Sequence, residues 1–218
     1  DKNKGFERYF KEARAHLGYG VVVRREGPYR VALLEKEKEA PPLPSLWRAF
    51  SARILGAEYT FHHLPGVFSA GKVDPASLLL LEALQERLGP EGVRGRQVLD
   101  LGAGYGALTL PLARMGAEVV GVEDDLASVL SLQKGLEANA LKAQALHSDV
   151  DEALTEEARF DIIVTNPPFH VGGAVILDVA QAFVDVAAAR LRPGGVFFLV
   201  SNPFLKYEPL LEEKFGAF

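Results

Sequence analysis

The stretch Gln97-Val98-Leu99-Asp100-Leu101-Gly102-Ala103-Gly104-Tyr105-Gly106-Ala107 runs from an apolar strand signal through alternate glycines into a helical pattern. Glycine lets the backbone turn tightly, and the helix behind the turn presents unpaired N–H groups. From here the chain alternates strand and helix with little interruption, the sequence form of a parallel sheet covered by helices. Strands are expected at Val98–Leu101, Val119–Val122, Gln144–His147, Asp161–Val164 and Val196–Val200. Helices are expected at Ala107–Met115, Leu126–Asn139, Glu152–Ala158 and Ala174–Leu191. The expected fold class is α/β: a Rossmann-like, doubly wound, mainly parallel sheet. In the order 3-2-1-4-5 the first and fourth strands are neighbours at the switch point, where such sheets bind ligands. The residues after Leu101 and Val164 then face one crevice.

Both of those exits carry specific chemistry. Gly102, Gly104 and Gly106 let a ligand approach the backbone, and an anion is welcome at the following helix N-terminus. Glu123 ends the second strand 19 residues after Gly104, placed to accept hydrogen bonds from both hydroxyls of a ribose. A nucleoside-containing cofactor fits both features. Gly102-x-Gly104-x-x-Ala107 also satisfies the dinucleotide fingerprint, so an NAD(P)-dependent oxidoreductase is the rival reading. Asp100 separates the two. A carboxylate where the loop begins repels a pyrophosphate but suits the ammonium and sulfonium of S-adenosylmethionine. Asp149, after the third strand, is either an acceptor for the adenine amine or the N-cap of a helix from Glu152.

The fourth strand stops in Thr165-Asn166-Pro167-Pro168-Phe169-His170. Pro167 biases Asn166 to an extended conformation, and neither proline offers a backbone N–H. The Asn166 side-chain oxygen and the Pro167 carbonyl make a stiff pair of acceptors for an exocyclic amine, while Phe169 offers a flat face for its ring. Acceptors placed there orient the amine lone pair and stabilise the positive charge that develops as the amine attacks. Nicotinamide chemistry leaves this arrangement unexplained. His170 is placed to touch a base or a phosphate, to accept the departing proton, or simply to enter the next helix.

Asp100-x-Gly102-x-Gly104-x-Gly106, Glu123 and Asn166-Pro167-Pro168-Phe169-His170 resemble the motifs of class I S-adenosylmethionine-dependent methyltransferases acting on exocyclic amines. With Leu64-Pro65-Gly66-Val67-Phe68-Ser69 ahead of them, residues 60–218 are similar to bacterial ribosomal RNA guanine-N2 methyltransferases of the RsmC type, which act on small-subunit (16S) RNA. The resemblance implies a two-domain enzyme of which this is the catalytic half. It implies S-adenosyl-L-methionine as cofactor, bound by Asp100, Gly102, Gly104, Gly106, Glu123 and Asp149. It implies catalysis by Asn166, Pro167 and Phe169, substrate contacts from Phe68 and His170, and ribosomal RNA or the small ribosomal subunit as partner. Adenine-N6 and protein-glutamine-N5 methyltransferases share the clamp and stand as alternatives.

Composition sets the outer bounds. With 218 residues and 48% hydrophobic content the chain is long enough for a full α/β core plus an appendage. It holds no apolar run of about 18 residues and no export-signal pattern, so a cytoplasmic protein without a membrane partner is expected. No Cys is present and the five His lack ligand spacing, so no metal is expected. Four Asn and one Met among abundant Leu, Ala, Arg and Glu suit a thermophile.

The front of the chain differs in sign from the rest. Residues 1–40 hold 10 Lys/Arg and 7 Asp/Glu, a net of +3, against 14 and 22, a net of −8, beyond them. A polyanion would be steered to the front. Phe6–His16 reads as an amphipathic helix, Val21-Val22-Val23 and Val31–Leu34 as strands flanking Gly27-Pro28, and Pro41-Pro42-Leu43-Pro44 as a linker. Beyond it, Glu58–His62 alternates as a strand should, and Asp74-Pro75 opens a helix reaching Leu88. The expected organisation is therefore a helix-hairpin tail of a preceding Rossmann-like domain over 1–40, a linker and lead-in over 41–74, and a catalytic domain over 75–218 that lacks its last strands. Phe6-Glu7-x-Tyr9-Phe10-x-Glu12 and Tyr207-Glu208-x-Leu210-Leu211-x-Glu213 look like copies, as a tandem duplication would leave them. The competing expectation is that the front hairpin completes the catalytic sheet beside Val196–Val200.

Overall fold

The computed structural model describes residues 5–37, 39, 44–69, 71–167, 175–202 and 207–216, with backbone alone for 175–178. The chain forms two compact units, one up to Ser45 and one from Leu46 onward. In the first, helix α1 (Phe6–Leu17) leads into the antiparallel strands β1 (Gly18–Glu26) and β2 (Tyr29–Lys36). Gly27, at φ 53°, supplies the left-handed turn between them, and the register slips at Val23. These strands pair with each other in a sheet of their own.

The second unit begins with a hairpin, β3 (Arg48–Ile54) and β4 (Ala57–His63), turned by Leu55 and Gly56, both at positive φ. Helix α2 (Pro75–Leu88) follows, capped by Asp74, whose side chain accepts the N–H groups of Ala76 and Ser77. The parallel sheet is built from β5 (Gln97–Leu101), β6 (Glu118–Glu123), β7 (Gln144–His147), β8 (Phe160–Thr165) and β9 (Leu191–Leu199). Helices α3 (Thr109–Arg114), α4 (Leu126–Ala138), α5 (Val175–Arg190) and α6 (Glu208–Phe215) complete the unit. The strand order is β7-β6-β5-β8-β9, all parallel, which is the expected 3-2-1-4-5. Leu99, Leu101, Ile162 and Ile163 are fully buried, as strands covered on both faces require.

Two expectations need correction. The helix expected at Glu152–Ala158 is a series of turns. Its N–H groups are used locally, Glu152 to the Asp149 carbonyl and Leu154 to that of Asp151, while Ala153 donates to the Ser148 hydroxyl (3.0 Å). Arg190, from the end of α5, takes the carbonyls of Thr155 (2.6 Å) and Glu156 (3.1 Å) and pairs with Asp151 (2.8 Å). A seven-residue segment gains too little from its own ladder to outweigh these partners. The front hairpin, in turn, does not complete the catalytic sheet: among the described residues β9 is the outer strand, and β1 pairs with β2.

From Leu46 on, the lead-in packs into the core of the second unit. Phe61 is fully buried between Phe50 (ring centroids 5.2 Å apart) and the edge of Tyr105 (5.4 Å, 90°). Asn139, at the end of α4, acts as a strand partner for Thr60, donating to its carbonyl (2.7 Å) and accepting its N–H (3.0 Å). The Pro41-Pro42 part of the expected linker lies outside the described residues. Phe61→Ala is expected to destabilise the protein by about 3–5 kcal/mol, the usual cost of emptying a buried aromatic site. Urea unfolding measures this; a loss near zero would mean that the hairpin is not part of the core.

Candidate active site

The glycine loop and the Asn166 exit are brought together by strand register. Leu101 pairs with Thr165 across parallel strands, so Gly102 and Asn166 are the next residues on neighbouring chains, about 5 Å apart by sheet spacing. Thr165, fully buried, strengthens the junction by donating its hydroxyl to the Leu101 carbonyl (2.8 Å).

The three glycines have different physical tasks. Gly106, at φ 97°, has no room for a side chain: a Cβ there meets Leu110 at 2.4 Å and Leu132 at 2.5 Å. Gly104, at φ 56°, faces open space, which is what a loop that receives a ligand needs. Gly102 and Ala103 both donate their N–H to the Val122 carbonyl (3.0 Å each), tying the loop to β6.

Glu123 stands beside that loop as its spacing predicts. Its two carboxylate oxygens accept the N–H of Gly104 (2.8 Å) and of Asp125 (3.0 Å), one each. Each oxygen keeps a lone pair, enough for a ribose diol. Burial pushes the Glu123 carboxyl up to about 7, partly offset by the Asp125 and Gly104 N–H groups, with Asp124 adding to the rise. Asp100 is fully buried; its Oδ2 accepts the Thr109 hydroxyl (2.6 Å) and its Oδ1 has no partner. Burial drives its carboxyl to about 7 despite the Thr109 bonds. An unpaired buried carboxyl oxygen at the root of the loop fits a cationic ligand, whose charge favours the ionised form against burial, and so fits S-adenosylmethionine.

Asn166 is the best defined of the expected residues. Its Nδ2 donates to Asp74 Oδ2 (2.9 Å) and to Ser77 Oγ (3.0 Å), both at the start of α2. Its Oδ1 is buried and has no partner. Carboxylate oxygens only accept, so Asp74 dictates which end of the amide it meets. Pro167 is buried beside it. Phe169 and His170 lie outside the described residues. Phe68 is 54% exposed, in a segment tied to the loop because Tyr105 donates its hydroxyl to the Lys72 carbonyl (3.1 Å). Asp149 is exposed; residues 152–158 form no helix for it to cap, and its carbonyl accepts the Glu152 N–H while the Ser148 hydroxyl accepts that of Ala153.

Asp74, Ser77, Tyr105, Thr165 and Thr109 were not expected at the site. Asp74-Pro75 reads in sequence as a helix start, which it is; that the same oxygen also holds Asn166, 92 residues on, has no local signal. Among the described residues no group of His, Asp and Glu could hold a metal ion, and no helix is long and apolar enough to cross a membrane.

A parallel 3-2-1-4-5 sheet, a glycine loop answered by an acid on the second strand and an unpaired acceptor after the fourth define a class of enzyme. A family model, the methyltransferase small domain, matches residues 58–218, and the chain belongs to that family. Among its relatives are the ribosomal RNA small subunit methyltransferases C of Stutzerimonas stutzeri (34% identical; 100% of this chain, 64% of that protein) and Mannheimia succiniciproducens (33%; 99% and 63%). A solved structure described as the T. thermophilus 16S rRNA N2-guanine methyltransferase (RsmC) in complex with AdoMet and guanosine is 99% identical, with a TM-score of 0.88. It is matched over 100% of this chain and 58% of its own. The chain thus spans less than two thirds of the length of the relatives it matches. An S-adenosylmethionine-dependent methyltransferase from Agrobacterium tumefaciens, 19% identical with a TM-score of 0.61, shares the fold.

The raised Asp100 carboxyl has a signed consequence. A carboxyl whose pKa rises from 3.8 to about 7 on folding favours the folded state below the lower value, and that stability is lost as pH rises through the upper one. Asp100→Asn removes this dependence. The difference in unfolding free energy between variant and parent is expected to shift by about 4 kcal/mol in favour of the variant from pH 4 to pH 8. Urea titrations at both pH values measure it, and a constant difference would show that Asp100 is not held protonated by burial.

Proposed function

We propose that this chain transfers a methyl group from S-adenosyl-L-methionine to the exocyclic N2 amine of a guanine in ribosomal RNA, of the small (16S) subunit. The observation that carries this reading is the unpaired, buried Asn166 Oδ1 beside the open glycine loop: an acceptor without a donor, next to a cofactor cradle. The names of the relatives, ribosomal RNA small subunit methyltransferases, support the RNA and the subunit.

S-adenosylmethionine supplies a methyl group on a sulfonium, and the chain supplies orientation. Glu123 takes the ribose hydroxyls, the Gly102–Gly106 loop receives the amino-acid end, and Asp100 answers the positive charge. Asp149 takes the adenine amine. Asn166 Oδ1 and the Pro167 carbonyl accept the two amine hydrogens and turn the nitrogen lone pair toward the methyl group. The N–C bond forms as the S–C bond breaks, its electrons going to sulfur, and one amine proton leaves to water or His170. Positive charge gathers on nitrogen during transfer, so acceptors on its hydrogens lower the barrier more than they aid binding. Phe169 stacks on the base, which must first leave any helix it occupies, and Phe68 adds a contact at the crevice. With ribosomal RNA as substrate the place of action is the cytoplasm.

The unit up to Ser45 is, in this reading, the tail of a preceding Rossmann-like domain. Its hairpin pairs with itself and exposes Tyr19, Val23, Val31 and Leu33, an apolar stripe of the kind that meets the rest of a domain.

The test is to incubate the protein with methyl-labelled cofactor and unmodified small subunits, large subunits or the naked RNAs, then digest to nucleosides. Label is expected in N2-methylguanosine from small-subunit RNA; label in N6-methyladenosine would overturn the guanine assignment. Asn166→Ala is expected to raise the barrier by about 2–4 kcal/mol while leaving cofactor affinity intact. Glu123→Ala should do the reverse first, weakening cofactor binding by roughly 1–3 kcal/mol in calorimetry.

A further inference from the structure

We propose that Asp74, assisted by Ser77, is a positioning residue that locks the Asn166 amide with its oxygen toward the substrate, and so makes the site select an amine edge. This inference rests on the function proposed above, since it concerns how the amine acceptor is held.

A primary amide has two ends of nearly equal size, and a free asparagine presents either. Only its partners decide. Asn166 Nδ2 has both hydrogens committed, one to Asp74 Oδ2 at 2.9 Å and one to Ser77 Oγ at 3.0 Å. Turned over, the amide would set its oxygen against a carboxylate oxygen at the same distance with no hydrogen between them. It would also aim two donors at the substrate. Ser77 alone would permit either orientation, because a hydroxyl donates as well as accepts. The carboxylate is what makes the choice one-sided.

Asp74 is held in turn. Its Oδ2 accepts the N–H of Ala76 (3.1 Å) and of Ser77 (3.4 Å) as the N-cap of α2, and Pro75 stiffens the first helical position. Ser77 is buried. One oxygen therefore serves the helix end and the amide together. A carboxylate on the amide hydrogens also draws electron density toward Oδ1, which strengthens that acceptor. An acceptor fixed in this way takes the 2-amino group of guanine and gains nothing from a base that lacks it.

The test compares guanosine with inosine, which differs only in lacking the 2-amino group. Both are titrated into the protein loaded with S-adenosylhomocysteine, so that no transfer occurs. Asp74→Ser keeps a capping oxygen on α2 but is too short to reach Asn166. Asp74→Asn keeps an oxygen of the original reach, and the Ala76 and Ser77 N–H groups, which only donate, hold that oxygen rather than the new NH2 on the side that meets Asn166. The parent is expected to favour guanosine. Asp74→Ser should cut that preference by about tenfold, the value of one well-placed hydrogen bond, with inosine and S-adenosylhomocysteine affinities unchanged. Asp74→Asn should restore most of it. A merely structural role would weaken all three ligands together. If Asp74→Ser keeps the parental guanosine preference while Asn166→Ala loses it, the positioning role is wrong. If parent and Asn166→Ala show the same ratio, the amine-acceptor reading fails and this inference fails with it. Should Asp74→Ser not fold, Ser77→Ala must lower the same ratio by a smaller factor, and an unchanged ratio there overturns the proposal.

Discussion

The pairing of Leu101 with Thr165 is the constraint on which the site depends. A parallel ladder sets two strand ends at the same height, and here one end opens into Gly102 and the other into Asn166. Thr165 spends its hydroxyl on the Leu101 carbonyl, which would otherwise be a buried acceptor at the mouth of the sheet. A slip of one residue along β8 would move Asn166 to the opposite face of the sheet and leave the loop without its acceptor. The chemistry therefore rests on a register that the apolar runs of β5 and β8 enforce by burying both faces.

Around that junction the molecule holds polar groups at considerable cost. Asp100 and Glu123 are both raised to about 7 by burial, and Asn166 Oδ1 and Asp100 Oδ1 lack partners. Unpaired buried oxygens each cost on the order of 1–3 kcal/mol. Such groups are retained where a ligand completes them, and the ones here match a cation on one side and an amine on the other. The surroundings compensate through packing: Phe61, Leu110, Leu132 and Ile162 are fully buried behind the loop.

The hairpin of β3 and β4 extends this rigidity to the second side of the crevice. Tyr105 leaves the glycine loop, meets Phe61 edge-on, and donates its hydroxyl to Lys72, two residues before Asp74. Loop, hairpin and the start of α2 are thus connected by one aromatic side chain. A shift in any of them is transmitted to the residue that orients Asn166.

Much of this was readable from the chain because the signals are local. Alternation of apolar runs, the spacing of Gly102, Gly104 and Gly106, and the Asn166-Pro167 stop each follow from backbone rules acting within a few residues, and they determine the sheet, its order and the glycine loop. Glu123 is legible for the same reason, since it ends a strand of predictable length. Arg48–Ile54 was not legible as a strand, because its Arg, Ala and Ser side chains carry little β preference and its pairing with β4 is stabilised by Phe61 packing on Tyr105. The segment Glu152–Ala158 carries a helical signal in sequence because the competitor that holds it in turns, Arg190, lies more than thirty residues away. Asp74 is the clearest case. Its sequence context specifies a helix cap and nothing more, and only the tertiary approach of β8 to the start of α2 gives the same carboxylate a second partner and Asn166 a single orientation.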